Sequence, residues 1–294
     1  MMRATLHLHT AADYRRMRPI LHPGIVRQYN SYSGKRIEGL DADPIVAAGL
    51  AALKDGARTF VELRAMLTQI MPDRDVDALA NVIRSRLPIV QVYPGGSWGF
   101  GGEIRYALPE NVIGHPVTVD GEIDPAPLIL RYLAAFGPAS IADFQAWSGL
   151  TRMKAFFERL RPQLITHRDE NGRELFDLPE FTIPPQDTPA PVRLMPEYDN
   201  LILSHDQRQR VIADEHRAKV YLSAGRVRAT FLIDGFVAGA WKVEKDKKRS
   251  ALVLEPFIPL TPDDAAALTE EADRLIRWID PQAPVVEVRL LSPA

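Results

Sequence analysis

Residues 52–63 read ALKDGARTFVEL, and residues 132–144 read YLAAFGPASIADF. At an offset of 137 − 56 = 81 residues, Gly56 falls on Gly137, Thr59 on Ser140, Glu62 on Asp143 and Leu63 on Phe144. Thr59-x-x-Glu62 is a capping box, in which the hydroxyl accepts an orphan backbone N–H and the carboxylate reaches back to the cap residue. Ser140-x-x-Asp143 is a shorter-armed version. Each pair predicts a helix that starts just after a glycine-containing turn.

The flanking sequence repeats as well. Residues 44–54 are apolar at most positions and predict a buried helix started by Asp43, with Pro44 at its first position. Before the second turn, Leu128, Leu130, Tyr132, Leu133 and Phe136 supply the corresponding apolar helix. A third helix follows in each copy, over 76–86 and over 152–160, the latter capped by Thr151. The period then changes from helical to alternating. Residues 89–93 followed by PGGSWGFGG, and 164–168 followed by DENG and 174–178, read as two-stranded hairpins. Three helices and a hairpin make a winged helix, whose third helix can enter a DNA groove while the hairpin touches backbone. Winged helices also serve as protein-contact modules and scaffolds, so the repeat specifies a fold more than a ligand.

The expected class is α+β: tandem winged-helix units followed by an α+β domain with an antiparallel β-meander. The boundaries are a remnant of a first winged helix and linker over 1–43, winged-helix units over 44–124 and 125–190, and the C-terminal domain over 191–294. The two copies differ where base-reading residues normally sit. The first has Asp73, Arg74, Asp75 and Asp77, acids that would face phosphates, and so reads as structural. The second has Thr151, Arg152 and Lys154, with Arg159 and Arg161 further along, suited to phosphates or a guanine edge. Trp98 and Phe100, among the glycines of residues 95–102, either wedge against bases or pack beneath their own hairpin.

Beyond a proline-rich connector, PEFTIPPQDTPAP at 179–191, the texture changes. VRLMPEYDNLIL at 192–203 predicts a buried strand that delivers Glu197, Tyr198 and Asp199 to a loop. Asp234-Gly235 is a two-residue hairpin turn, EKDKKR at 244–249 a second turn, 262–278 an amphipathic helix and 285–290 a last strand. Lys245, Lys247 and Lys248 either track a phosphate backbone or are the solvated charges of a hairpin tip.

A formal net charge of −2 conceals opposed blocks. Residues 1–36 carry seven basic side chains and one acidic (7 − 1 = +6), residues 201–250 eleven and six (+5), and residues 251–294 three and eight (−5). A polyanion can therefore be bound locally by a chain that is nearly neutral overall. Zero cysteines exclude disulfides, thiolate nucleophiles and cysteine-ligated zinc. There is no Walker-type loop, G-x-S-x-G elbow or H-E-x-x-H helix, and neither a cofactor nor a metal is expected. No run approaches the roughly 18 apolar residues of a membrane span, which gives a cytoplasmic expectation. Near the N-terminus His7 and His9 fall on one face of a predicted edge strand and Leu6 and Leu8 on the other.

Five blocks carry a resemblance: MRATLHLHTAADY, GSWGFGGEIRY, RYLAAFGPASIADFQAWSGL, VRLMPEYDNLILSHDQRQRV and FLIDGFVAGAWK. In this order they resemble the bacterial winged-helix DNA-binding proteins that include the AlkZ-like DNA glycosylases, from the first residues to about Leu260. The resemblance implies tandem winged helices around a basic cleft, with double-stranded DNA, alkylated or crosslinked, as the partner. It also implies excision of alkylated bases or unhooking of interstrand crosslinks. Strand residues Arg3 and His7, with Arg152, Lys154, Arg159, Lys245, Lys247 and Lys248, become the candidate DNA contacts.

In the family's glycosylases an additional N-terminal stretch carries a Gln-x-Gln or Gln-x-Asp motif that orients water at the sugar C1′. Here that segment is expected to be missing, since Gln207-x-Gln209 falls in a different block of the pattern. Asp199 is then the weak catalytic candidate, a carboxylate to place water and stabilise an oxocarbenium-like state, or else a helix or turn cap. The competing readings are a repair glycosylase, a non-enzymatic DNA binder or regulator, and a scaffold for protein contacts.

Overall fold

The computed structural model describes residues 2–119, 121, 123–246 and 248–293. By internal contacts it divides into Met1–Leu178 and Pro179–Ala294. The first unit contains α1 (Ala11–Ser33), α2 (Asp43–Lys54), β1 (Arg58–Thr59), α3 (Phe60–Ile70), α4 (Val76–Arg86), β2 (Val90–Gln91), β3 (Arg105–Ala107) and α5 (Glu110–Ile113). It continues with α6 (Ala126–Phe136), α7 (Ile141–Ser148), α8 (Lys154–Leu160), β4 (Ile165–Arg168) and β5 (Glu174–Asp177).

Both capping boxes close. Thr59 Oγ1 accepts the Glu62 N–H at 3.1 Å while the Glu62 carboxylate accepts the Thr59 N–H at 2.7 Å. At Ser140 and Asp143 the same two bonds measure 3.2 and 2.8 Å. The repeat extends to strand pairing. Arg58 pairs antiparallel with Tyr106 in β3, and Ala139, at the same offset of 139 − 58 = 81, bridges Phe176 in β5. Each three-helix set closes its own core. Ile45, Leu53, Leu63, Leu67, Leu79 and Ile83 fill the first. The second is an aromatic cluster of Tyr132, Phe144, Trp147, Phe157 and Phe176. Ring centroids there stand 5.0–6.1 Å apart, the range of favourable tilted and edge-on contacts.

Two expectations fail in this unit. Residues 5–10 form no strand and lead into α1, a helix of 23 residues that the sequence reading did not foresee. The alternation itself holds, with Leu6 and Leu8 exposed and the His7 and His9 rings 5.7 Å apart. What is missing is a partner strand among the described residues. The third helix of the second copy starts at Lys154, not at Arg152 under a Thr151 cap. Arg27 of α1 donates to the Thr151 hydroxyl at 3.1 Å and to the Gly149 carbonyl, and Arg152 takes a left-handed φ of 61° that a helix excludes.

The second unit contains β6 (Arg193–Met195), α9 (Asn200–Leu203), α10 (Arg217–Val220), β7 (Thr230–Ile233), β8 (Phe236–Lys245), β9 (Arg249–Pro256), α11 (Pro262–Ile279) and β10 (Val285–Leu290). Its sheet has the order β10-β9-β8-β7-β6. Asp234 and Gly235 both take left-handed φ, 48° and 79°, which matches strand twist in a two-residue hairpin. The meander is antiparallel from β6 to β9, but β10 pairs parallel to β9. The 18 residues of α11 carry the chain back along the sheet, and a crossover of that length is what parallel pairing requires. Leu268, Ala272 and Ile276 of α11 pack on Phe231, Leu252 and Leu254.

Candidate nucleic-acid interface

Thr10 accepts the Asp13 N–H at 3.1 Å and so starts α1 directly after the extended segment. One turn on, the Tyr14 hydroxyl donates to the Ile89 carbonyl at 3.1 Å. Arg18, 3 % exposed, donates to the carbonyls of Ser85 at 2.9 Å and Leu87 at 3.2 Å. A buried guanidinium from one helix thus satisfies the C-terminal carbonyls of another. These bonds fix α1 against the end of α4 and the start of β2. Between them and residues 5–10 lies a cleft of about 760 Å³.

His7, His9, Tyr14, Tyr29, Arg84 and Gln91 are among the polar groups that line this cleft. Among the described lining residues there is no Asp or Glu, whereas Arg18 and Arg84 are both present. The Arg84 guanidinium lies 4.0 Å from the centroid of the Phe60 ring. His7 Nδ1 donates to the Thr5 carbonyl at 3.2 Å, which leaves Nε2 as the acceptor nitrogen of a neutral ring. Burial, reinforced by the Arg3 charge, lowers its pKa from 6.5 to about 4. Burial also lowers His9, whose Nε2 is enclosed without a hydrogen-bond partner. It pushes the Tyr14 phenol up to about 12 and raises Tyr29. At neutral pH the cleft therefore offers uncharged imidazoles, protonated phenols, an amide and arginines. Such a set can hydrogen-bond and stack a planar heteroaromatic group and attract phosphate.

The residues expected to contact DNA have separate fates. His7 lines the cleft, while Arg3 Nη1 donates to the Trp147 carbonyl at 2.6 Å, at the C-terminus of α7. Arg152 and Lys154 are exposed at the start of α8. Arg159 pairs with Asp124 and stands 5.3 Å over the Phe156 ring. In the second unit Lys245 Nζ lies 2.6 Å from Asp280, and Lys248 is exposed in the turn that follows β8. Lys247 lies outside the described residues. The Asp199 carboxylate accepts the Leu201 N–H at 2.7 Å, the geometry of a helix cap. Gln209 Nε2 donates to Asp214 at 3.0 Å. His7 and His9 gain no third ligating side chain among the described residues.

Tyr14, Arg18, Tyr29, Arg84 and Gln91 did not stand out in the sequence, because they come together only when α1 packs on α4. The available signal was the Thr10-x-x-Asp13 cap, followed by Gly34 with a φ of 53° at the other end of the helix.

The fold is similar to that of the DNA glycosylase AlkZ of Streptomyces sahachiroi, with a TM-score of 0.74 at 23% identity, over 99% of this chain and 80% of that one. The class is thus fixed by fold alone, the one this chain shares with that structure. The interstrand DNA cross-link repair glycosylase of Streptomyces sahachiroi is 30% identical over 188 residues, which are 60% of this chain and 49% of the relative. The chain thus spans about half the length of the curated relative it matches. The AlkZ-like DNA glycosylase model matches residues 1–278, and the chain belongs to that family. Among the described residues no helix is long and apolar enough to cross a membrane.

Proposed function

We propose that this chain is a cytoplasmic DNA-binding protein of the glycosylase type, whose two three-helix units are winged helices and which hydrolyses the N-glycosidic bond of alkylated or crosslinked nucleotides in duplex DNA. The observation that carries this reading is the family match over residues 1–278, a span that includes the cleft and both units. Two acids of the first three-helix set are committed to structure: Asp75 caps α4 at 2.9 Å and Asp77 pairs with Arg64 at 2.7 Å. The second three-helix set presents Arg152 and Lys154 to solvent, which favours it as the half that grips phosphates. In the cleft the neutral His7 and the Gln91 amide are groups that can orient water, and Arg84 supplies positive charge for the DNA backbone. No cofactor is called for, because water is the only co-reactant.

One observation favours a second reading, a DNA binder or regulator without chemistry. Asp199 is engaged as a cap, and the described cleft lining holds no carboxylate to stabilise an oxocarbenium-like state. Release of alkylated base from a duplex, measured beside salt-dependent duplex binding, separates the readings. Glycosylase function predicts free base, and affinity that falls with a slope of about −0.9 per phosphate contact in a log–log plot against salt. Binding without release leaves the second reading, and neither binding nor release overturns both.

A further inference from the structure

The loop between β2 and β3 carries two large aromatic rings that are mostly exposed. Three hydrogen-bonded turns build it: Gly95 N–H to the Val92 carbonyl at 2.8 Å, Ser97 N–H to Pro94 at 3.0 Å and Phe100 N–H to Ser97 at 3.2 Å. Gly96 and Gly99 take left-handed φ values of 83° and 71° at the bends, which glycine adopts without steric cost. Phe100 folds back over Gly102, where a Cβ would stand 2.5 Å from the ring. Trp98 and Tyr93 are 73% and 85% exposed. The same loop contributes Gly95 and Gly96 to the wall of the cleft that holds Arg18 and Arg84 but no described carboxylate. Rings on a turn-braced loop, beside a cleft of this charge, match a partner that has flat apolar faces strung along an anionic backbone.

We propose that Trp98 and Tyr93 are stacking residues that insert against destacked nucleobases of duplex DNA bound at the cleft. The proposal rests on the DNA-binding reading above and adds to it a preference for sites where stacking is already broken, such as an unpaired nucleotide. An inserted ring replaces a base–base contact, so the energetic cost of opening the stack is lowest where the DNA has met it beforehand.

The test uses the full chain with two duplexes of equal length, one fully matched and one with a single unpaired nucleotide. The unmodified protein is expected to prefer the second duplex, and its tryptophan emission to be quenched on binding. Trp98→Ala is expected to lose roughly ten-fold in affinity for that duplex, in the range of one base–aromatic stack. Trp98→Phe keeps most of the affinity but loses the quenching, and adding Tyr93→Ala to Trp98→Ala deepens the loss. The salt slope stays unchanged in every variant, because a ring releases no counterions. Equal affinity of the unmodified protein and Trp98→Ala for both duplexes overturns the proposal and leaves DNA binding intact. Self-association that disappears in Trp98→Ala also overturns it, since the rings would then serve contact between copies. Failure of the unmodified protein to bind either duplex at low salt overturns the DNA-binding reading together with the proposal.

Discussion

Arg18 shows how much one side chain can be asked to do. Its guanidinium, 3 % exposed, bonds the Ser85 and Leu87 carbonyls and stands 2.8 Å from His22 Nδ1. Replacing it by methionine keeps the apolar stem but removes the guanidinium from the Ser85 carbonyl and leaves the Leu87 carbonyl with the Ile89 N–H alone. Arg18→Met should therefore cost roughly 1–3 kcal/mol, read as a lower denaturation midpoint. An unchanged midpoint would show that water reaches those carbonyls. His7 has the opposite character, a group kept uncharged. Its folded pKa of about 4 lies below the ordinary 6.5, so the unfolded chain takes up the proton first as pH falls. His7 thus contributes its full stability above pH 6.5 and loses it progressively toward about pH 4. Urea midpoints of His7→Gln should fall less steeply across that window than those of the unmodified chain, and parallel curves would refute the assignment.

At the scale of elements, the capping boxes decide where helices begin. The Ser140 hydroxyl accepts the Asp143 N–H at 3.2 Å and donates to the Asp143 carboxylate at 2.7 Å, both groups being buried. Ser140→Ala is expected to lower stability by about 1–2 kcal/mol, measured by thermal or chemical unfolding, whereas a cap of no consequence would leave it unchanged. The pattern that makes this prediction possible also made most elements legible. Helices α3 and α7 announce themselves by capping boxes, α2 and α6 by their apolar residues, and the Asp234-Gly235 turn by its two left-handed residues.

Helix α1 was not legible in the same way, since Pro19 and Pro23 interrupt its backbone bonding and its apolar residues form only a weak stripe. It is held by tertiary contacts instead, with Ile20, Leu21 and Ile25 entering the aromatic core. The site inherited that blind spot. His7 was visible as half of an alternating pair, but its neighbours Arg84 and Gln91 belong to elements more than seventy residues away, brought together by a helix that the prolines disguised. At Thr151 a local cap pattern lost to a long-range competitor, the Arg27 guanidinium.

For the molecule as a whole, the division at Leu178 and Pro179 coincides with a stretch, 179–191, that is exposed at every position. Brief proteolysis at Glu180 or Phe181 should precede cleavage elsewhere and release two fragments that each resist further digestion; early cuts within α1 or β8 would contradict that organisation. On the proposed reading, the cleft of the first unit, with no acid among its described lining residues, is the DNA-engaging surface. Hydrogen–deuterium exchange, with and without an alkylated duplex, tests that location most directly. Slowed exchange at residues 5–10, 90–102 and the start of α8 is the predicted result. Unchanged exchange there, under conditions in which the duplex is bound, would contradict it.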